Sequence, residues 1–147
     1  MKKDTVIVEK TYNAPVAKVW KAITNKRQMK DWYFDLSAFN AELGFEFRFS
    51  GKGKDGETFL HLCKITELVL EKKLVYSWRY EGYEGVSFVS FELFPEGEHT
   101  RLLLTHEGLE SFPAVASFAR DSFLEGWTYL VQTSLKEFVE KNNDFSQ

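Results

Sequence analysis

Four side chains in this sequence carry most of its chemical potential: His61, Cys63, Tyr80 and His106. An imidazole titrates near neutral pH and serves as acid or base. A thiol becomes a nucleophile once a cationic neighbour lowers its pKa. Cys63 has no such neighbour evident, so it reads as a small buried hydrophobe rather than a nucleophile. His61, Cys63 and His106 are ligand-type residues, yet no spacing among them matches a metal-binding motif, and neither a metal nor a cofactor is expected. Aromatic residues make up 16% of the chain, with 14 Phe, 6 Tyr and 4 Trp. Rings at this density wall a cavity as readily as they fill a core.

Composition narrows the classes of function. The net charge of −3 argues against a nucleic-acid surface, which shows as a basic patch. Lys and Arg are scattered, with short clusters only at Lys2-Lys3, Lys26-Arg27 and Lys72-Lys73. A single cysteine cannot form an internal disulfide, which fits a reducing compartment. No charged, apolar, small-residue pattern of a signal peptide opens the chain. Uncharged stretches such as Gly126–Leu135 fall short of the roughly 18 residues a membrane span needs. The expectation is a cytoplasmic protein without membrane insertion, folded as a single domain over 1–147.

The elements that position these residues follow from periodicity. Thr5–Tyr12 is rich in β-branched residues and predicts a strand. Asn13-Ala14-Pro15 then predicts a helix start, with Asn as cap and Pro in the first turn. Val16, Val19, Trp20 and Ile23 form one face of a short helix, and a second helical turn is predicted over Lys26–Asp31. From Leu43 the period becomes two: Phe45, Phe47 and Phe49 alternate with Glu46 and Arg48, ending at the turn Gly51–Gly56. Four further strands are predicted at Glu57–Leu68, Lys73–Glu81, Val86–Phe94 and Thr100–Glu107, antiparallel neighbours because their connections are short. Beyond Gly108, helical spacing runs from Val115 to Phe138 for more than six turns, with Pro113 near the start and a single apolar face.

Hairpin geometry predicts which sheet face is inside, because directly paired residues point the same way. With Glu96-Gly97 as a two-residue turn, Glu92 opposes Arg101, Phe91 opposes Leu102 and Val89 opposes Leu104. The apolar pairs then lie inside together with Ser87 and His106. With Glu71-Lys72 as the preceding turn, Ile65 faces Trp78 and Cys63 faces Tyr80, while Lys64 opposes Arg79 on the outer face, a mildly unfavourable like-charge pair. Phe59, His61, Cys63 and Ile65 then line the inside beside Tyr76, Trp78 and Tyr80. A slip of one residue would invert the assignment. A few polar groups converging in an aromatic interior is the usual makeup of a small-molecule site.

The order of strand, two short helices, five strands and long helix resembles the helix-grip fold of the START / Bet v 1-like superfamily. Within it, the chain is similar to the family named for the C-terminal domain of the activator of Hsp90 ATPase. The phrases that carry this are Asn13-Ala14-Pro15 after the first strand, Val19-Trp20-Lys21-Ala22-Ile23-Thr24, Asp31-Trp32-Tyr33, Leu74-Val75-Tyr76-Ser77-Trp78, Thr100–Gly108 and Gly126-Trp127. The resemblance implies an α+β fold: a curved six-stranded antiparallel sheet wrapped around a long C-terminal helix, with a hydrophobic cavity between them. It also implies a lipid-like or aromatic ligand, since superfamily members bind lipids, sterols or polyketides and a minority catalyse cyclisation or dehydration. The eukaryotic namesake stimulates the chaperone's ATPase but carries an additional N-terminal domain, for which 147 residues leave no room. Chaperone contact therefore stands behind small-molecule binding.

Phe47, His61, Trp78, Tyr80, His106, Phe123 and Trp127 are the expected ligand-contacting residues, and no catalytic residue is assigned. Each has a plainer alternative. A buried histidine satisfied by Tyr80, Ser87 or backbone is the simpler reading of His61 and His106, because buried polar groups need only partners. Core packing accounts equally well for Phe47, Trp78, Phe123 and Trp127. Trp20 is expected in the core, and Trp32-Tyr33-Phe34 in a loop at the cavity mouth. Gly126 costs a mid-helix position about 1 kcal/mol, which either close approach to the sheet or a bend admitting a ligand would explain.

Overall fold

A computed structural model describes residues 4–53 and 55–141. Lys2 and Lys3, and Lys54 in the first hairpin turn, lie outside the described residues. The first strand, β1 (Val6–Tyr12), leads into α1 (Val16–Thr24) and α2 (Lys26–Trp32). Five strands follow: β2 (Glu46–Lys52), β3 (Thr58–Val69), β4 (Lys73–Tyr80), β5 (Ser87–Glu96) and β6 (His99–Glu107). They form one antiparallel sheet in the order β1-β6-β5-β4-β3-β2. The chain closes with α3 (Arg120–Tyr129), a wide π turn (Leu130–Ser134) and α4 (Leu135–Lys141), which run on as one long helix. This is the helix-grip architecture. Among the described residues no helix is long and apolar enough to cross a membrane.

The inner face is as expected from strand parity, but both hairpin registers are displaced by two residues. In the β5–β6 hairpin Glu96 pairs with His99, so the turn is Gly97-Glu98 and Phe91 opposes Leu104. Gly97 has φ +68, the glycine-first pattern of a type II′ hairpin, and that requirement places the turn. In the β3–β4 hairpin Val69 pairs with Lys73 across a three-residue loop, and Thr66 is skipped in the pairing. Loop and bulge each shift the register by one. Cys63 therefore opposes Trp78, and Lys64 opposes Ser77 rather than Arg79, so the like-charge pair does not form. A displacement of two restores the same side-chain direction. Phe59, His61, Cys63, Ile65, Tyr76, Trp78, Tyr80, Ser87 and His106 are all buried.

Two helix starts differ from expectation. At α1 the cap is Pro15, whose carbonyl accepts from Lys18 and Val19, while the Asn13 main-chain N–H donates to Glu140 of α4. The C-terminal helix begins at Arg120, not Val115, because Ala116–Phe118 forms a 3₁₀ turn and Ala119 is extended. That turn directs Phe118 onto Phe59 and Tyr80, with ring centres 5.1 and 4.4 Å away.

Phe123, Trp127, Val131, Leu135 and Val139 form the buried stripe of the long helix. A spacing of four drifts by about 40° per step in an ideal helix of 3.6 residues per turn. The π turn takes up part of this drift. Leu135 N–H bonds to the Leu130 carbonyl, five residues back, and the Val131 carbonyl accepts from the Tyr12 hydroxyl at 2.6 Å. A buried β1 phenol thus holds the helix where its ladder widens. Arg120 and Gln132 also donate to the Thr5 and Glu9 carbonyls, covering the outer edge of β1.

Candidate functional site

His106 and His61 share the inner face, and the fold uses them differently. His106 is 0% exposed. Trp127 Nε1–H donates to its Nδ1 at 3.0 Å, and an indole nitrogen can only donate. Nδ1 is therefore bare, and the ring's proton sits on Nε2, 2.8 Å from Ser87 Oγ. Ser87 Oγ in turn donates to the Trp78 carbonyl at 3.1 Å. The chain of bonds joins α3, β6, β5 and β4. Burial, with a smaller contribution from His61, lowers the His106 pKa to about 3. Every polar atom of the ring is engaged within the protein. His106 is a structural pin.

His61 is 6% exposed, and its Nδ1 lies 3.1 Å from the Phe59 carbonyl, which accepts the proton. Its ring stacks on Phe49 at 4.4 Å and meets Trp78 and Tyr80 edgewise at 4.9 and 4.8 Å. Burial lowers its pKa to about 4, partly opposed by the Phe59 and Phe49 carbonyls. Both histidines are thus neutral at pH 7. Tyr80 accepts the Trp78 indole N–H at 2.9 Å and stacks on Phe118 at 4.4 Å. Burial pushes its phenol pKa up, so it keeps its proton. Cys63 is likewise pushed up by burial and remains a thiol.

Rings from the sheet and the helix pack against one another, Trp78 and Phe91 lying 5.7 and 5.9 Å from Trp127. Beside them, at the end of the sheet next to α3, lies a partly open cleft of about 380 Å³. His61, Trp78 and Tyr80 form its sheet wall, and Phe123 and Trp127 its helix wall, with Phe34 at the edge. Its rim carries Lys52, Glu125 and Tyr129, and Gly126 opens one side. Five of the seven expected residues therefore meet in one place. Phe47 and His106 do not. Phe47 packs edgewise against Phe39 and Tyr76, each ring 5.0 Å away, and His106 is enclosed by its own bonds. Of the loop cluster only Phe34 lines the cleft. Trp32 and Tyr33 are core residues: Trp32 donates to the Ala22 carbonyl, and the Tyr33 and Tyr76 hydroxyls bond at 2.7 Å.

Two glycines shape the cleft. A Cβ on Gly51 would lie 2.9 Å from His61 Cε1, and one on Gly53 would lie 2.5 Å from both Phe59 Cε2 and Ser117 Oγ. Each lets a strand or turn approach rings that a larger residue would displace. Gly126 has nothing within 4 Å of where its Cβ would stand, so close approach to the sheet is not its role. A second depression, of about 390 Å³, lies on the outer face between Glu46, Arg48, Lys64 and Arg79. Charged and polar side chains dominate its lining, to which Phe47, Leu62 and Cys63 also contribute. Among the described residues no cluster of His, Cys, Asp and Glu is placed to hold a metal ion.

The model of the activator of Hsp90 ATPase homolog 1-like family matches residues 13–140. The chain belongs to that family. No curated protein matches the sequence. Solved structures share the fold at low identity. DynU16, from the dynemicin biosynthetic locus, is 24% identical with a TM-score of 0.76 over 95% of this chain and 48% of its own. The chain thus spans about half the length of that relative. MLL2253 of Mesorhizobium loti is 22% identical, with a TM-score of 0.76 over 95% of this chain and 98% of its own. CalU16 of Micromonospora echinospora is 23% identical, with a TM-score of 0.71 over 97% and 78%. At these identities the likeness establishes the family member's fold, and function rests on the cleft.

Proposed function

We propose that this family member binds a small, neutral, ring-containing or lipid-like molecule in the cleft between β3, β4 and α3. The carrying observation is the convergence of Trp78, Trp127, Phe123 and Phe34 with His61 and Tyr80 around about 380 Å³, enough for a compact drug-sized ligand. Neutral imidazole and protonated phenol favour an uncharged guest. The dynemicin-locus relative is in keeping with a small-molecule role. A cyclase- or dehydratase-type enzyme would use His61 with Tyr80, and the two do share one wall. An imidazole with a pKa near 4 is, however, a weak proton acceptor at neutral pH, so binding carries the proposal.

Gly126→Met tests it. Methionine is a far better helix former than glycine, and the site is exposed with open space around it, so the fold is retained while the side chain fills the cleft. Native mass spectrometry of the protein purified from its own host should show a retained small molecule, absent from Gly126→Met. Calorimetry with a naphthalene-type probe should show binding weakened tenfold or more by the substitution. Unchanged probe affinity in Gly126→Met would place binding elsewhere. The family's name supplies a chaperone-directed reading, which stimulation of the Hsp90 ATPase by this chain would support.

A further inference from the structure

Tyr80 brings to the cleft wall a hydroxyl proton that its bond with Trp78 leaves unused. Tyr80 is 4% exposed and lines the cleft, and its hydroxyl oxygen accepts the Trp78 indole N–H at 2.9 Å. An indole nitrogen can only donate, so the hydroxyl's own hydrogen is not used in that bond. Among the described residues no acceptor is paired with it. A buried hydroxyl whose proton has no acceptor is expensive, and water or a ligand must take it. Of the groups around it, the Trp78 indole and the ring faces of Phe118 and Phe59 offer no strong acceptor, the Phe59 carbonyl is engaged by His61 Nδ1, and the His61 ring meets Tyr80 edgewise at 4.8 Å without a hydrogen bond between them.

Resting on the binding reading above, we propose that Tyr80 is a specificity-determining residue that donates a hydrogen bond to an acceptor oxygen of the ligand. The ligand class is thereby narrowed to a neutral ring system bearing a carbonyl or comparable oxygen, with its ring among Trp78, Trp127 and Phe123. The Trp78 N–H strengthens the donor, because a hydroxyl that accepts one hydrogen bond is polarised to donate another. A purely hydrocarbon ligand would bury the tyrosine proton unpaired.

Two probes of matched shape separate this inference from the reading beneath it: 2-acetylnaphthalene and 2-isopropenylnaphthalene, which differ by C=O against C=CH₂. The ketone-to-alkene affinity ratio, measured by calorimetry, is expected to fall about five- to tenfold from the wild type to Tyr80→Phe, the value of one neutral hydrogen bond. The carbonyl stretch of carbon-13-labelled ketone should shift to lower frequency in the wild-type cleft and recover in Tyr80→Phe. The infrared shift in the wild type tests the inference by itself if the variant folds poorly. An unshifted carbonyl, or a ratio unchanged by the substitution, would overturn the role of Tyr80 while leaving the cleft as a binding site. Failure of both probes to bind would overturn the binding reading, and the inference with it.

Discussion

The two buried histidines divide the interior into a closed end and an open end. Around His106, Trp127 and Ser87 use both ring nitrogens, Ser87 donates its own proton to the Trp78 carbonyl, and the helix lies directly on the sheet. Around His61 and Tyr80 the same residue types, on the same sheet face, border a cleft of about 380 Å³. Residue type does not separate the two ends. The closed end has its donors and acceptors paired, whereas at the open end the Tyr80 hydroxyl accepts from Trp78 and its own proton is not used in that bond. Buried polar groups that are fully paired rigidify a core, and partly paired ones are where chemistry remains available.

The largest way to strain this contrast is acid. His61 and His106 have folded pKa values of about 4 and about 3, below the ordinary 6.5, so the unfolded chain binds protons that the folded one does not. Their contribution to stability is complete above pH 6.5 and is lost as pH falls towards the folded values. Between pH 7 and 5 each should cost about 2 kcal/mol, roughly 4 kcal/mol together, read from urea denaturation. A flat profile over that window would mean the imidazoles are not held neutral.

His106→Leu comes next, at about 3 kcal/mol, because it leaves the buried Trp127 N–H without an acceptor. It should also halve the acid sensitivity, while probe affinity per folded molecule changes little. A large loss of affinity would join the two ends that the structure separates. Gly51→Ala should cost about 1–2 kcal/mol and weaken probe binding, since its Cβ would displace the His61 ring from 2.9 Å. The smallest effect is a gain. Gly126→Ala should stabilise the protein by about 0.5–1 kcal/mol, because the position is helical, exposed and unobstructed.

Much of this was legible from alternation. Phe47, Phe49, Cys63, Ile65, Tyr76 and Trp78 declare their face by period two, and parity survives a register displaced by two. The displacement itself was not legible, because Gly97 and the Thr66 bulge act through backbone torsions rather than through side-chain pattern. The long helix was visible, but not its start: Phe118 keeps helical spacing yet is drawn into a 3₁₀ turn by Phe59 and Tyr80. At the site, sequence reasoning brought together Trp78, Tyr80, His61, Phe123 and Trp127 but could not tell His106 from His61. That distinction depends on where an indole N–H lands across the helix–sheet interface, and no local pattern encodes it. The rim residues Glu125 and Tyr129 were missed because helix tilt decides which turns face the opening, and Lys52 because it stands at the end of β2, where alternation gives way to the turn. The glycines at 51, 53 and 126 were the available signal.

The most direct test of the open and closed ends uses the four tryptophan indole N–H signals. In a titration with 2-acetylnaphthalene followed by nitrogen-15 correlation spectra, the Trp78 and Trp127 signals should move saturably, since both rings wall the cleft. The Trp20 and Trp32 signals should stay in place. Movement of all four together, or of none, would contradict a ligand site at the His61–Tyr80 end.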